Sequence, residues 1–349
     1  MKICFITATL AGGGAERVIA NLSNEMTSRG HQVTILLTTE KVVEYSLNER
    51  IEVIQVSNRT SHGIKERINR IRNLRRFFKM HKDFYYISMP TDTNIFVLLA
   101  SIFLKINLII SERNDPNQYE HRIIRNVLYC LAKKIVFQTK DASLCFSKRL
   151  QKLGKIILNP VSETLPMPYV GTKEKRIVAV GRLDEQKNHK LLIDAFSCFV
   201  HENPEYKLDI YGRGSLQENL MNQIRKMDLE ANVSLRGFSK DVWSEASNAM
   251  MYVLSSDYEG MPNSLLEAMA MGMAVVSTNC PIGGASMLIE DRVNGLLVPV
   301  NDRKKLYEAM SFLANNPDVA ECYSKEALKI RENLSVKKIC DEWLEYILN

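Results

Sequence analysis

Residues 1–22 read MKICFITATLAGGGAERVIANL. A short apolar run after Lys2 leads into three glycines, Gly12, Gly13 and Gly14. Beyond them Val18, Ile19, Leu22 and Met26 fall at helix spacing. Gly30 stops that helix, and residues 31–37, HQVTILL, read as a second strand. Strand, glycine loop, helix and strand make the opening of a parallel α/β domain. Two other readings of the stretch fare worse. As a secretory signal, its apolar run is short and no small-x-small cleavage site follows. As a dinucleotide fingerprint, G-x-G-x-x-G, it has Arg17 where the last glycine belongs, although Glu40 near the end of the second strand imitates the ribose-binding acid. A loop whose backbone N–H groups suit an anion is left, with a tight turn and no ligand as the alternative.

The 349 residues leave room for two domains of ordinary size. Hydrophobic residues at 46% and charged residues at 25% are usual for a soluble globular chain. The longest apolar stretch, Ile95 to Leu104, stops at Lys105 and is too short to span a bilayer. Seven scattered cysteines contain no C-x-x-C pair, which points to reduced thiols in a cytoplasm rather than to disulfides or a metal site. A net charge of +6 is compatible with anionic substrates or an anionic surface.

Strand-like runs alternate with helical patterns through the first half, at Ile51–Val56, Phe84–Ser88, Asn107–Ser111 and Ile135–Phe137. Residues 162–175, SETLPMPYVGTKEK, hold prolines, a glycine and little periodicity and read as a linker. The alternation then restarts, with strands at Arg176–Val180, Tyr206–Tyr211, Asn232–Leu235, Met250–Leu254 and Ala274–Ser277, and helices at Lys190–Val200 and Leu216–Met227. Two doubly wound domains in series are expected, and ligands of such sheets sit beyond the carboxyl ends of the strands.

Residues 181–188, GRLDEQKN, follow the first strand of the second half. Arg182 and Lys187 stand near the start of the next helix, and two fixed cations beside helix N–H groups form a site for a diphosphate. An ordinary solvated loop is the alternative. Residues 255–272, SSDYEGMPNSLLEAMAMG, follow another strand. Pro262 is placed to start a helix, Glu259 lies in the loop before it, and Glu267 lies eight positions later inside it. Gly260 lets a ligand approach the backbone, and N–H groups near Asn263, Ser264 and Leu265 would point at an anion. A carboxylate is a bidentate partner for vicinal hydroxyls, as on a ribose or a hexose.

These motifs resemble the E-x7-E signature of the retaining glycosyltransferases of family 4, whose architecture is called GT-B, and the resemblance covers nearly the whole chain. Residues 13–17, GGAER, are similar to that family's N-terminal glycine loop, GRLDEQKN to its diphosphate-binding segment, and residues 158–161, LNPV, to the start of its linker. Arg236-Gly237-Phe238 resembles the loop whose backbone receives the base, and residues 294–298, NGLLV, a late strand. The resemblance implies two Rossmann-like domains facing across a cleft: an acceptor-binding domain over 1–162, a nucleotide-sugar domain over 163–334, and a C-terminal helix in 335–349 packing back toward the first. It implies that Arg182 and Lys187 hold the donor diphosphate and stabilise the departing charge, that Glu259 binds the donor sugar, and that Glu267 binds the ribose hydroxyls. Gly13 and Gly14 would leave room for phosphates. Gly212, Phe238, Gly260, Met261, Pro262, Asn263, Ser264 and Leu265 would complete the donor site. No D-x-D occurs, so catalysis without a metal, and without any cofactor besides a UDP-sugar donor, is expected. One departure matters: Arg113 stands where many members have a histidine, and it could contact phosphate instead. Asp92, in PTDTN, is an acceptor-side candidate or a simple helix N-terminal acid.

Residues 61–82, SHGIKERINRIRNLRRFFKMHK, carry a second signal. Ile64, Ile68, Ile71, Leu74 and Phe78 fall on one helical stripe, while Lys65, Arg67, Arg70, Arg72, Arg75, Arg76, Lys79 and Lys82 supply charge with one acid, Glu66. The expectation is a stripe on the core with charge outward. Arg70, Arg75 and Arg76 would then face an anionic membrane or a lipid diphosphate, and nucleic acid is disfavoured because no reading motif accompanies the charge. The whole describes an enzyme on the cytoplasmic face of the inner membrane. It would move a hexose or N-acetylhexosamine from a UDP-sugar to a saccharide on a polyprenyl diphosphate, in surface polysaccharide, lipopolysaccharide O-antigen, capsule or glycan assembly. The rival readings are a phosphorylase or epimerase of the same fold, a non-catalytic subunit that binds sugar nucleotides, and an NAD-dependent oxidoreductase. Arg17 and the motifs of the second half disfavour the last.

Overall fold

The structure, a computed structural model, describes residues 1–57 and 63–349. Ser61 and His62, which open the basic segment, lie outside the described residues. The chain divides into two compact units, one formed by Met1–Pro160 with Val336–Asn349 and one by Val161–Ser335.

The first unit holds seven strands, β1 (Lys2–Thr7), β2 (Gln32–Leu37), β3 (Glu52–Gln55), β4 (Tyr85–Ser88), β5 (Asn107–Ser111), β6 (Lys134–Phe137) and β7 (Gly154–Ile156). They pair in the order β3-β2-β1-β4-β5-β6-β7, every pair parallel. The order reverses between β1 and β4, which is the switch point where such sheets bind ligands. After their first residue β1 and β2 are buried throughout, as strands covered on both faces must be. The connecting helices are α1 (Gly14–Ser28), α2 (Ile64–Met80), α3 (Thr91–Ser101), α4 (Arg122–Tyr129), α5 (Lys140–Leu144) and α6 (Lys148–Lys152). The apolar run Ile95–Leu104 is largely α3, whose Val97, Leu98 and Ala100 join the core with Leu74, Phe78, Tyr86 and Ile110. Strand β7 and the short α5 and α6 left no pattern in the sequence, being too brief for either periodicity.

The second unit repeats the scheme with six strands, β8 (Glu174–Val180), β9 (Lys207–Tyr211), β10 (Val233–Gly237), β11 (Ala249–Leu254), β12 (Ala274–Thr278) and β13 (Leu296–Val298). All are parallel, in the order β10-β9-β8-β11-β12-β13. Its helices are α7 (His189–Glu202), α8 (Gln217–Lys226), α9 (Val242–Glu245), α10 (Asn263–Ala270), α11 (Arg303–Asn315), α12 (Pro317–Leu328) and α13 (Ile330–Asn333). The switch point lies between β8 and β11. The segment 162–175 differs from a bare linker. Glu174 and Lys175 already belong to β8, and the Leu165 and Pro166 carbonyls accept from Arg331 at 3.1 and 3.0 Å.

The last helix, α14 (Val336–Leu348), packs on α1 with Trp343 fully buried. Arg29 binds the Asp341 carboxylate and donates to the Lys337 carbonyl at 3.0 Å, and Tyr346 donates to the Leu153 carbonyl at 2.6 Å.

Helix α2 departs from the expected stripe. Leu74, Phe77 and Phe78 are buried, but Ile64 and Ile68 at its start are exposed. Two of its cations turn inward. Arg75 donates to the Ala100 and Ile102 carbonyls at 3.0 and 2.6 Å, because the last carbonyls of α3 have no partner within their own helix. Arg70 lies 4.7 Å over the Phe96 ring and 3.8 Å from the Glu66 carboxylate, which is itself buried. Arg76 remains exposed with Lys65, Arg67, Arg72, Lys79 and Lys82.

Candidate active site

The switch point of the second sheet brings together the two loops that carry the motifs. Gly181 leaves the carboxyl end of β8 and Ser255 leaves that of β11, its neighbour in the sheet. The loops are stitched by backbone and side chains: Asp257 N–H donates to the Gln186 carbonyl at 2.9 Å, Ser255 Oγ to the Lys187 carbonyl at 3.0 Å, and Asn188 to Asp257 at 2.7 Å.

At the junction Glu259 is buried and accepts from three groups. Lys187 Nζ lies at 2.5 Å and Ser256 Oγ at 2.7 Å from one carboxylate oxygen, and Gln186 Nε2 at 3.4 Å from the other. Gln186 also accepts from Arg182 at 3.0 Å. Arg182, Gln186, Glu259 and Lys187 thus form one hydrogen-bonded chain. Its ends differ: the Lys187 side chain is 13% exposed, while that of Arg182 is 69% exposed and pairs with Asp184 at 3.0 Å. A diphosphate entering from solvent would meet Arg182 first.

Glu267 lies in α10, buried, and accepts from Trp243 Nε1 at 2.7 Å. Trp243 comes from the short α9 and lies 6.0 Å from the Tyr252 ring. Pro262 caps α10 without a side-chain hydrogen bond. Met261 and Leu265 are buried in the core, so they have only backbone groups to offer a ligand, while Asn263 and Ser264 are half-buried and Ser264 accepts from Tyr252 at 2.8 Å. Gly260 is covered by Gly284, where a Cβ would stand 1.7 Å from the Gly260 carbonyl.

The loop after β9 joins the same end. Gly212 N–H donates to the Gly237 carbonyl at 2.8 Å, and Gly212 has φ +151° with its α-carbon pressed on the Gly181 carbonyl. A Cβ there would stand 1.8 Å from that oxygen. Gly212→Ala is therefore expected to cost about 1–3 kcal/mol, as overpacking does. Urea unfolding would measure it, and an unchanged midpoint would show that the loop relaxes. Phe238 follows β10 with its ring half exposed and Arg213 stacked over it at 5.3 Å, a flat cationic face suited to a base or a phosphate.

His189 opens α7, against the loop after β8. Burial, then the Lys187 charge, pushes its pKa down from 6.5 to about 4, so it is neutral at pH 7. The unfolded chain takes up this proton first as pH falls, so the stability His189 contributes is intact above pH 6.5 and lost progressively between 6.5 and 4. His189→Gln is expected to flatten the slope of unfolding free energy over that range. An unchanged slope would assign the acid sensitivity to other groups.

In the first unit the switch-point loops carry the other candidates. A Cβ at Gly13 would stand 2.0 Å from the Glu16 carboxylate, so that glycine admits the folded-back side chain at the start of α1. The Gly13 carbonyl accepts from Tyr45 at 2.7 Å, and Gly14 is the first residue of α1. Asp92 lies exposed in the first turn of α3, and its charge, after burial, helps push the Tyr119 pKa up. Arg113 is buried rather than aimed at solvent: it donates to Asn159 and, at 3.5 Å, to Ser111. Burial lowers its pKa to about 10, against the opposing charges of Glu16 and Glu112.

The fold has close relatives. Anabaena HepE, solved with UDP and glucose, superposes with a TM-score of 0.83 at 18% identity over 99% of this chain and 98% of that one. TarM gives 0.82 at 15% over all of this chain and 99% of that one. In sequence, an uncharacterized glycosyltransferase of Haemophilus influenzae is 26% identical over 97% of each chain. A Campylobacter jejuni N-acetylgalactosamine-N,N'-diacetylbacillosaminyl-diphospho-undecaprenol 4-alpha-N-acetylgalactosaminyltransferase is 27% identical over 99% of each. Residues 168–330 match the family Glycosyl transferases group 1. The protein is a GT-B glycosyltransferase.

The matched segment of this GT-B glycosyltransferase contains Arg182, Lys187, Glu259 and Glu267 and none of the first sheet. Four residues at the site escaped the sequence reading: Gln186, Ser256, Arg213 and Trp243. Gln186 and Ser256 stand inside the quoted motifs, where their polar side chains were visible without a role. Trp243 and Arg213 gave no signal, because only the fold brings them to Glu267 and Phe238.

Proposed function

We propose that this glycosyltransferase is a retaining, metal-independent enzyme. It moves a hexose or N-acetylhexosamine from a UDP-sugar to a saccharide on a polyprenyl diphosphate, in bacterial surface polysaccharide or glycan assembly. The observation that carries the reading is the chain Arg182–Gln186–Glu259–Lys187 at the switch point of the second sheet. In the reaction the bond between the sugar's anomeric carbon and the diphosphate breaks. The acceptor hydroxyl oxygen bonds to that carbon, and its proton ends on the diphosphate side. Negative charge grows on the leaving diphosphate, and Arg182 and Lys187 are fixed cations able to lower that barrier. Glu259 is oriented by three donors and suits hydroxyls of the sugar, and Glu267 suits those of the ribose. The Campylobacter relative's diphospho-undecaprenol-linked acceptor supports the lipid-linked part of the proposal.

The peripheral membrane part is supported by the exposed cations of α2. No helix among the described residues is long and apolar enough to cross a membrane. The test is incubation with UDP-hexose or UDP-N-acetylhexosamine and a polyprenyl-diphosphate-linked saccharide in EDTA. The expected product is longer by one sugar with the donor's anomeric configuration, read by NMR. Turnover without acceptor, a requirement for inorganic phosphate, inversion, or loss of transfer in EDTA would each overturn the part of the proposal it touches.

A further inference from the structure

Helix α4 presents an apolar face to solvent. Ile123, Ile124 and Val127 are 82%, 57% and 65% exposed, and Leu131, one turn on, continues the face. The spacing 123 and 127 places those two in one row of the helix, and Leu131 stands in the turn that follows it. Beside it stands the turn after α3, where Phe103 is 98% exposed and has φ +60°. Leu131, Ile102 and Phe103 line one recess of about 190 Å³, so the α4 face and the turn form a continuous surface. An aromatic side chain in the left-handed region carries backbone strain, and such strain gathers where function holds it. The strain is held from below, since the inward Arg75 binds the carbonyls of Ala100 and Ile102.

The surroundings say what this face meets. Lys105, Arg122 and Lys133 are exposed around it, against one exposed acid, Glu120, between residues 102 and 133. Helices α2, α3 and α4 pack side by side, so the exposed cations Arg72, Arg76 and Lys79 of α2 border the same side of the unit. Apolar side chains ringed by cations match a bilayer whose headgroups are anionic: the former enter the acyl boundary and the latter pair with phosphate. An apolar patch of this kind on a soluble chain marks an interaction site.

We propose that the α4 face and the Phe103 turn insert into an anionic lipid surface and seat the first unit on it. The proposal deepens the membrane part of the proposed function and rests on it. The test is co-sedimentation with vesicles of phosphatidylglycerol and phosphatidylethanolamine, against vesicles of phosphatidylcholine alone. The wild type is expected to bind the anionic vesicles. Ile124→Ser with Val127→Ser is expected to weaken that binding about tenfold or more, as removal of the inserted apolar area requires. Phe103→Gly serves as the second variant. It removes the ring and the strain together, so binding should fall while the melting temperature holds or rises, which damage to the fold would not produce. UDP binding should be unchanged in all variants. Wild-type protein that binds no vesicle overturns both this proposal and the membrane reading above. Variants that bind like wild type overturn this face alone. A dimeric wild type made monomeric by Phe103→Gly would assign the face to a second copy of the chain and overturn the proposal.

Discussion

Lys187→Met is expected to lower kcat/KM for sugar transfer by about 10²- to 10³-fold, the range seen when one preorganised charge-stabilising group is removed. The substitution has a structural effect as well. Lys187 Nζ lies 2.5 Å from Glu259, and both side chains are largely buried. Removing one partner of a buried pair leaves an uncompensated charge and destabilises by about 3–5 kcal/mol. The two effects separate in a double variant. Adding Glu259→Gln removes the orphaned charge, so stability should return toward wild type while transfer stays low. If the double variant recovers full activity, the pair is only a structural tie between the loops after β8 and β11. The comparison needs steady-state rates and a urea unfolding curve for each variant.

The second large effect concerns Glu267. Its carboxylate is buried and anchored by Trp243 Nε1 at 2.7 Å. Glu267→Ala is expected to weaken UDP binding by about 10- to 100-fold, since a hydrogen bond to a charged group contributes about 1.5–3 kcal/mol. The more telling readout is discrimination. Wild type should prefer UDP over its 2′,3′-dideoxy analogue, and Glu267→Ala should bind the two alike. Trp243→Phe keeps the carboxylate but frees its orientation, so it should give a smaller loss of the same kind. Equal preference in wild type and Glu267→Ala would remove the ribose from Glu267.

Much of this arrangement was legible in the residues. A doubly wound order requires strands that alternate with helices and are buried on both faces. Largely apolar runs such as residues 33–37, broken only by Thr34, and 249–254 state that directly. The donor-side candidates stood out because Arg182, Lys187 and Glu259 lie in loops that follow such strands and Glu267 lies in the helix after the second of those loops, the end of the sheet where ligands of this fold bind. What escaped depends on long-range contact. Trp243 meets Glu267 across 24 positions, and Gln186 meets Glu259 across 73. Charge alone misled in α2, where Arg70 and Arg75 look like their exposed neighbours. Arg75 is taken up by the carbonyls ending α3, and Arg70 by Phe96 and Glu66. Gly13 showed a converse case. The glycine was read as space for a phosphate, and a Cβ there would also stand 2.0 Å from the Glu16 carboxylate, a second reason for glycine that only the fold shows.

The measurement that bears most directly on the account is calorimetric titration of UDP, GDP and NAD into the protein with EDTA present. Selective, enthalpically resolved binding of UDP, lost in Glu267→Ala, is the predicted result. Binding of GDP in preference to UDP, binding of NAD, or UDP binding that appears only when a divalent metal is restored would contradict it.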